Sequence, residues 1–377
     1  MKKKSDLTPV VKWAGGKEKE LKYILPNMPL DYKRYIEPFV GGGAVYFSIE
    51  NKQMFVNDKS EELIKLYLNI KNNNNDLISK LQNLQDAWIE LENILNENFS
   101  NFINIYLEYK NNKDKKKLKK EIEIFIKLKQ KIFKDILKGN LIRNFNIFEK
   151  ELVRNIYSKF IRMKNLEKQK GKLSDKDIKN NFECALKSAF YTFIRELYNQ
   201  NKTENIENFY FIREYCYSSM FRYNANGNFN VPYGGISYNK KNFQKKIDYL
   251  KSKCLEKHFS KTEIYNLDFE KFLEKINIDK NDFMFIDPPY DTNFSSYANN
   301  PFDEYDQRRL ANYLIKKCEG NFMVIIKNTN LITSLYKEGC LCKNGNPLKI
   351  SSFDKKYMVS FKNRNNRDVE HLLITNY

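Results

Sequence analysis

The chain has 377 residues, of which 66 are Lys or Arg and 47 are Asp or Glu, so its formal net charge is +19. This length permits one large domain, or a catalytic domain that carries a second one. The positive charge makes a polyanion such as nucleic acid the first partner to consider, although the Lys, Asn and Ile codons of an A/T-rich genome would produce part of the same excess.

The numbers and spacing of cysteine, histidine and apolar residues indicate whether the protein binds a metal and where in the cell it is located. The six cysteines form no Cys-x-x-Cys pair, and the only histidines are His258 and His371, so we expect no metal site. No apolar segment follows the amino-terminal lysines, and no run of about 18 apolar residues occurs. We therefore expect a soluble, cytoplasmic protein with reduced cysteines and no membrane partner.

Residues 9 to about 70 alternate short apolar runs with turns. The strand-like runs are Tyr35-Ile36 and Met54-Phe55-Val56, and the stretch from Ala44 to Glu50 between them has helical character. This order predicts a β-turn-α-β unit.

Residues 71 to about 182 are rich in Lys, Asn and Glu, and their apolar residues recur at helical spacing. The clearest run is Leu118, Ile122, Phe125 and Ile126, with Lys129 at the next helical position. We predict an inserted set of helices. The lysine run from Lys113 to Lys120 has two interpretations, a solvated helix face, which is the commoner case, or a patch that faces DNA.

The strand pattern returns after about Lys261. The predicted strands are Ile264-Tyr265, the run that begins at Phe283, Phe322 to Ile326, Tyr357 to Phe361, and His371 to Thr375. The sequence therefore predicts an α/β fold whose mostly parallel, twisted sheet is split, with residues 1–70 and 250–377 in one domain and residues 71–249 in another.

A glycine-rich turn, Glu37-Pro38-Phe39-Val40-Gly41-Gly42-Gly43, lies between the first predicted strand and a helix. Its backbone can approach a ligand over the helix amino terminus. Asp58 follows Gly41 by 17 residues, near the spacing of about 20 at which an acidic residue reaches a ribose diol. No triphosphate-binding loop is present and Glu37 disfavours a pyrophosphate, so a cationic nucleoside such as S-adenosylmethionine fits better than ATP or NAD. The alternative is a tight turn with a surface Asp.

The tetrapeptide Asp287-Pro288-Pro289-Tyr290 directly follows the apolar run that begins at Phe283. The prolines stop the strand, and they leave a carboxylate, carbonyl oxygens and an aromatic ring at the carboxyl edge of the sheet. Asp287 and the Pro288 carbonyl can accept both hydrogens of an exocyclic amino group such as adenine N6, while Tyr290 offers a stacking face. The alternative is a strand stop whose Asp caps the next turn. No cysteine follows a proline, which argues against cytosine-C5 methylation.

Five segments in this order resemble the Dam-type, alpha-class DNA adenine-N6 methyltransferases. They are Lys12-Trp13-Ala14-Gly15-Gly16-Lys17, Glu37-Pro38-Phe39-x-Gly-x-Gly, Asn57-Asp58, Phe221-Arg222-Tyr223-Asn224 followed by Phe229-Asn230-Val231-Pro232-Tyr233-Gly234, and Asp287-Pro288-Pro289-Tyr290. The resemblance covers residues 9–70 and 184–377, and residues 71–183 lie outside it. It implies a Rossmann-like core that uses S-adenosylmethionine, plus a helical target-recognition region within 71–249.

The resemblance also implies site residues. Around the cofactor it places Trp13, Lys17, Asp58 and Asp287, the pair Asp268-Phe269 near the cofactor's adenine, and Glu37, Pro38, Phe39, Gly41 and Gly43 of the glycine turn. At the reacting base it places Asp287, Pro288, Pro289 and Tyr290. On DNA it places Lys12, Tyr217, Met220, Arg222 and Asn224.

Two features of the sequence bear on the implied DNA contacts. Arg222 could read guanine through its bidentate fork, but a structural salt bridge is the alternative. Compact family members have a Tyr two residues after the glycine of the recognition segment, whereas here Gly234 is followed by Gly235-Ile236 and a Tyr only at Tyr238. Of the nearby aromatic residues, we expect most to be core and single out only Tyr217 as an intercalator.

These features together predict a site-specific enzyme that methylates N6 of a flipped-out adenine in duplex DNA, with GATC as the leading site. A cognate restriction endonuclease that acts independently would be compatible with it. The alternatives are a methyltransferase acting on RNA or protein amides, and a non-catalytic DNA-binding regulator linked to S-adenosylmethionine.

Overall fold

The computed structural model describes residues 5–290, 302–356 and 368–377. The chain divides into two compact units, one formed by Met1–Asn73 and Leu250–Tyr377 and the other by Asn74–Tyr249. Up to Asn73 the elements are α1 (Leu21–Asn27), β1 (Tyr35–Glu37), α2 (Ala44–Ser48), β2 (Met54–Asn57) and α3 (Glu61–Lys71). The next are α4 (Asn75–Glu97), α5 (Phe99–Asn112), α6 (Lys115–Leu128), α7 (Gln130–Asp135), α8 (Asn140–Arg143), α9 (Phe145–Lys170), α10 (Asp175–Gln200), α11 (Ile206–Tyr215) and α12 (Phe243–Leu250). The last are α13 (Lys253–Phe259), β3 (Thr262–Tyr265), α14 (Phe269–Ile276), β4 (Phe283–Ile286), α15 (Glu304–Lys316), β5 (Asn321–Lys327), α16 (Asn330–Leu335), β6 (Lys349–Lys356) and β7 (Asp368–Thr375).

The strands of the first unit form one sheet in the order β3-β2-β1-β4-β5-β7-β6. Strands β3, β2, β1, β4 and β5 pair in parallel, and β7 pairs antiparallel with both β5 and β6. The predicted α/β fold with a mostly parallel sheet is confirmed.

Most of the predicted strands are present. The predictions at Tyr35, Met54, Ile264, Phe283, Phe322 and His371 correspond to β1, β2, β3, β4, β5 and β7. The strand predicted from Tyr357 to Phe361 lies outside the described residues. Strand β6 was not predicted, because its sequence Lys-Ile-Ser-Ser-Phe-Asp-Lys-Lys contains only two apolar residues and shows no sustained alternation.

Strand β1 occupies the position that determines where a ligand can bind. Every residue of β1, β2 and β4 is buried, as expected of parallel strands covered on both faces. The chain leaves β1 towards β2 and β3, then returns on the other side of β1 as β4. This reversal is a topological switch point, where open α/β sheets bind ligands beyond the carboxyl ends of their strands.

Helices α14 and α15 cover one face of the sheet. Their apolar residues, together with the sheet residues beneath them, form one buried cluster that includes Phe272, Leu273, Leu310, Leu314, Met284, Ile286 and Val324. Helix α14 begins at Phe269 because the side chain of Asp268 accepts a hydrogen bond from the Glu270 backbone N–H at 3.1 Å and so caps the helix. The cap fixes Asp268 and Phe269 at the carboxyl edge of the sheet.

The second unit is helical, as the spacing of its apolar residues predicts. In α6, Leu118, Ile122, Phe125 and Ile126 are all buried. The lysines of the run from Lys113 to Lys120 are exposed, and within it Lys117 pairs with Glu108 and Lys119 with Glu123. No helix of the described residues is both long enough and apolar enough to cross a membrane.

Asn57, at the end of β2, ties together the turns that follow β1 and β3. Its side-chain Nδ2 donates to the carbonyl oxygens of Pro38 and Leu267, both at 3.0 Å, and its Oδ1 accepts from the Leu267 N–H at 2.9 Å. Asn57 is almost fully buried. The three bonds hold the carboxyl edge of the sheet in one arrangement.

We expect Asn57→Ala to lower the free energy of unfolding by about 1 to 3 kcal/mol, because the backbone groups that it bonds lose their hydrogen bonds in a largely buried setting. Denaturant unfolding of the purified chain measures this change. The control is Asn111→Ala on the exposed surface of α5, which should change the same quantity by less than about 0.5 kcal/mol. Equal losses for the two variants would contradict the bridging role.

Candidate active site

A pocket of the first unit lies at the carboxyl edge of the sheet, where β1 and β4 end. It is lined by every residue that the sequence predicts for the cofactor, namely Trp13, Lys17, Glu37, Pro38, Phe39, Gly41, Gly43, Asp58, Asp268, Phe269 and Asp287. The same pocket is lined by Pro288, Pro289 and Tyr290. Segments that are far apart in the chain therefore meet at the topological switch point.

The glycine turn packs closely under Trp13. Gly41 and Gly43 have positive φ angles of 48° and 73°, which favour glycine. A side chain at Gly41 would place its Cβ 2.9 Å from Cδ1 of the Trp13 ring, and one at Gly43 would place its Cβ 2.9 Å from the Phe47 ring. The turn therefore needs glycine both for its backbone conformation and for the space it leaves to its neighbours.

Asp58 supports this turn from the end of β2. Its Oδ2 accepts from the Gly41 N–H and its Oδ1 from the Ser60 N–H, each at 2.9 Å. Burial raises the pKa of the Asp58 carboxyl, and the backbone N–H groups act in the opposite direction. A carboxylate has about four acceptor positions, so Asp58 keeps capacity for a ligand diol.

Three phenylalanines form an apolar wall of the pocket. The rings of Phe39 and Phe269 are 5.5 Å apart between centroids, and Phe302 lies edge-on to Phe39 at the same distance. Next to the wall, Asp268 pairs with Arg309 at 2.8 Å. Burial acts to raise the pKa of Asp268, but the hydrogen bonds and charge of Arg309 lower it on balance. Phe302 was not predicted, because no motif surrounds it in the sequence.

Lys17 joins the amino-terminal segment to the Asp-Pro-Pro-Tyr segment. Its side chain is only 3% exposed, and its Nζ donates to both carboxylate oxygens of Asp287 at 2.5 Å. The same Nζ donates to the Gly15 carbonyl and to the Tyr290 hydroxyl, each at 3.1 Å. The sequence placed Lys17 near a cofactor, but its partner lies 270 residues away and was not predicted.

The two carbonyls of the proline pair differ in their partners. The side-chain amide of Gln307 donates to the Pro289 carbonyl at 2.8 Å. Among the described residues, none donates to the Pro288 carbonyl. Asp287 and the Pro288 carbonyl are thus two acceptors that border the same pocket, with Asp287 held by Lys17.

Glu37 is a buried carboxyl at the end of β1. Burial raises its pKa well above the usual range, the Tyr35 hydroxyl that donates to its Oε2 at 2.6 Å lowers it, and the charge of Asp287 raises it further. No group of three or more His, Cys, Asp and Glu side chains in the described part of the chain could hold a metal ion.

The residues predicted to contact DNA lie outside this pocket. Lys12 is exposed beside Trp13, and the other four belong to the second unit. Asn224 uses its Oδ1 to accept from the N–H groups of Asn226 and Asn228, which closes a turn.

Tyr217 is the most exposed of the aromatic residues between Phe209 and Tyr238. It is 51% exposed, whereas Phe209, Tyr210, Phe211 and Tyr215 are buried, as predicted. The turn that presents it has positive φ at Ser218 and Ser219, both 52°. The buried Arg213 holds this turn, because its guanidinium donates to the carbonyls of Ser219 at 2.7 Å and of the partly buried Met220 at 2.6 Å. Nothing in the sequence pattern distinguished Arg213 from a surface residue.

Arg222 is exposed and has an amide partner rather than an ionic one. Its Nε donates to Asn230 Oδ1 at 2.7 Å, and a terminal nitrogen donates to the Asn230 carbonyl at 2.9 Å. Within the part of the chain that the structure describes, it forms no salt bridge. Tyr238, which follows Gly234 by four residues, lies against Gly234. Its hydroxyl oxygen accepts a hydrogen bond from the backbone N–H of Ser218, the residue after Tyr217, at 3.2 Å.

The chain is similar to known proteins over nearly its whole length. A family model for D12 class N6 adenine-specific DNA methyltransferases matches residues 13–186 and 163–358. The chain is 26% identical to the type II methyltransferase M.MjaIII of Methanocaldococcus jannaschii over 99% of this chain and all of that protein. It is 24% identical to the type II methyltransferase M.CviBI of Paramecium bursaria Chlorella virus NC1A over 98% of this chain and 100% of that protein. It is 33% identical to the Retron Ec67 DNA adenine methylase of Escherichia coli over 41% of this chain and 54% of that protein. The first matched range includes residues 71–183, so the expectation that they lie outside the resemblance was wrong.

The raised pKa of Glu37 has a consequence for stability. Folding favours its neutral form, so its stabilising contribution is present below its unfolded-state pKa and is lost as the pH rises through its folded-state pKa. We expect Glu37→Gln, which keeps an acceptor for the Tyr35 hydroxyl, to be more stable than the parent at about pH 8, with the difference shrinking towards about pH 5. Urea unfolding across this range measures the difference. A difference that does not vary with pH would contradict the assignment.

Proposed function

Because the chain belongs to the D12 class N6 adenine-specific DNA methyltransferase family, we propose that it transfers the methyl group of S-adenosylmethionine to N6 of an adenine flipped out of duplex DNA. One observation carries the proposal: a single pocket contains the glycine turn, Asp58 and the Asp287-Pro288-Pro289-Tyr290 segment. The family assignment disfavours RNA, protein amides and a purely regulatory role.

The pocket suits a cationic nucleoside. Asp58 lies where it can accept a ribose diol, and the wall of Phe39, Phe269 and Phe302 suits a flat ring. The buried carboxyl of Glu37 gains a favourable charge partner when a cation binds. When bound, S-adenosylmethionine supplies an electrophilic methyl group on its sulfonium.

Asp287 and the Pro288 carbonyl activate the target nitrogen in this proposal. The lone pair of adenine N6 is delocalised into the ring, and two acceptors on its hydrogens draw the nitrogen towards tetrahedral geometry. Lys17 keeps the Asp287 carboxylate oriented, and Tyr290 offers its ring to the flipped base. Proximity and orientation then supply most of the acceleration, without a covalent enzyme intermediate.

The second unit would supply target recognition and the first unit catalysis. Tyr217 would intercalate, Arg222 would read a guanine edge with Met220 and Asn224 beside it, and Lys12 of the first unit would contact a flanking guanine. GATC is the leading site. Two of the relatives above are named type II methyltransferases, which favours a role beside an independently acting restriction endonuclease.

We expect Asp58→Ala to weaken S-adenosylmethionine binding by about 1 to 3 kcal/mol, because a buried diol loses its acceptor and the Gly41 N–H loses its partner. Calorimetry measures the affinity. Asp31→Ala, at an exposed position of the same unit, is the control and should bind like the parent. Unchanged affinity for Asp58→Ala would refute the assignment of the ribose site.

For recognition, we expect Arg222→Ala to relax the preference at one base pair by about 1 to 3 kcal/mol. Neutralising the lysines between Lys113 and Lys120 should weaken binding to all sequences alike or leave it unchanged, because phosphate contacts carry no base information. Methylation profiles on a randomised site library separate the two results. A uniform loss for Arg222→Ala would instead make it a backbone contact or a fold residue.

For catalysis, we expect Asp287→Ala to slow methyl transfer by at least about 100-fold, because the lost acceptor acts most strongly as N6 becomes tetrahedral. DNA binding should largely persist. Single-turnover rates at saturating cofactor are the suitable measurement, since Asp287 also borders the cofactor pocket. A variant within a few-fold of the parent rate on duplex DNA that contains its site would show that the segment is only a strand stop.

A further inference from the structure

His371 is a fully buried histidine that no sequence motif singled out. It lies on β7, where it pairs with Lys327 of β5 on one side and with Phe353 of β6 on the other. Its Nε2 is 3.2 Å from the hydroxyl oxygen of Tyr290, and the two rings meet edge to face with centroids 5.5 Å apart. The antiparallel part of the sheet thus reaches the Asp-Pro-Pro-Tyr segment.

The Tyr290 hydroxyl is held from two sides. Lys17 donates to it at 3.1 Å, and because an ammonium group can only donate, the Tyr290 oxygen is the acceptor of that bond. The hydroxyl hydrogen can then be donated to Nε2 of His371. Bonds therefore run from Asp287 through Lys17 and Tyr290 to His371.

His371 is itself fixed in place. Its ring lies 5.9 Å from that of Phe353, and Phe353 stacks on Tyr23 of α1 at 4.7 Å. A side chain that is enclosed by packed rings and belongs to a strand paired on both sides is a rigid anchor for whatever it bonds. In contrast, Tyr290 is only partly buried and belongs to the segment that follows β4.

We propose that His371 is a positioning residue for methyl transfer, which it serves by anchoring the Tyr290 hydroxyl so that the Tyr290 ring is ready to stack with the flipped adenine. The inference rests on the proposed function. With its far end bonded to both Lys17 and His371, the ring has little freedom to rotate away from the pocket. Such preorganisation lowers the cost of reaching the reactive arrangement, because the ring need not be ordered when the base arrives.

A double-mutant cycle tests the coupling with the full chain. His371→Phe keeps an aromatic ring without the acceptor, Tyr290→Phe keeps the stacking ring without the hydroxyl, and His371→Gln keeps a hydrogen-bonding group. We expect each Phe variant to slow single-turnover methyl transfer by about 3- to 10-fold, the scale of one hydrogen bond, and His371→Gln to recover part of the loss. The double variant should be no slower than the slower single variant, because both remove the same bond.

Two spectroscopic measurements distinguish positioning from packing. The fluorescence of 2-aminopurine at the target position should report a less ordered flipped base in His371→Phe. Because the chain has only two histidines, ¹⁵N-histidine labelling yields signals from His371 and from His258 alone. Tyr290→Phe should shift the His371 imidazole signals and leave those of His258, which packs on Tyr46 instead, unchanged.

Three results would overturn the inference. In the first, His371→Phe slows transfer by the same factor with and without the Tyr290 hydroxyl, so that its role is packing alone. In the second, His371→Phe transfers at the parent rate. In the third, Tyr290→Phe leaves the His371 signals in place. A folded parent that transfers no methyl group would overturn the proposed function and this role together, whereas the other results leave the proposed function intact.

Discussion

The arrangement of the pocket depends on the ion pair between Lys17 and Asp287. This pair joins two segments 270 residues apart, and the Lys17 side chain is almost fully buried. Burying a carboxylate at the end of a strand costs desolvation energy unless a charge partner is present, so Lys17 offsets the cost of placing Asp287 at that edge. Because the same ammonium also bonds Tyr290, one side chain positions both the proposed acceptor for the amino group, Asp287, and the proposed stacking ring, Tyr290.

Two carboxyls of the pocket, those of Glu37 and Asp58, are buried. Burial raises the pKa of both Glu37 and Asp58, which makes their ionised forms costly in the free protein. At Asp58, hydrogen bonds from backbone N–H groups offset part of this cost. At Glu37, the hydrogen bond from the Tyr35 hydroxyl does the same. Burial of these two carboxyls thus costs the first unit some stability at neutral pH, a cost that binding of the proposed cationic ligand would offset.

How far the sequence predicted this molecule depends on the range of the interactions. The strands of the parallel core were predictable from local pattern, and so was the meeting of the glycine turn, Asp58 and the proline pair at one sheet edge. Trp13, Lys17, Asp268 and Phe269, which line the same pocket, were predicted only through the family resemblance. Phe302, Gln307 and His371 were missed because their roles arise only when distant segments pack together. The hydrogen-bond partner of Arg222 was missed for a related reason. The loop between them brings Asn230 against Arg222, and Asn230 carries no charge that would indicate an ion pair in the sequence.

The most direct test of the proposed methyl transfer is to sequence the modified bases in DNA from a host that lacks its own adenine methylation, with and without expression of this chain. The proposed activity predicts N6-methyladenine at one short recurring sequence, present only when the chain is expressed. A modified cytosine would contradict it. So would unmodified DNA in cells that contain the folded protein, together with no transfer by the purified chain when S-adenosylmethionine is supplied.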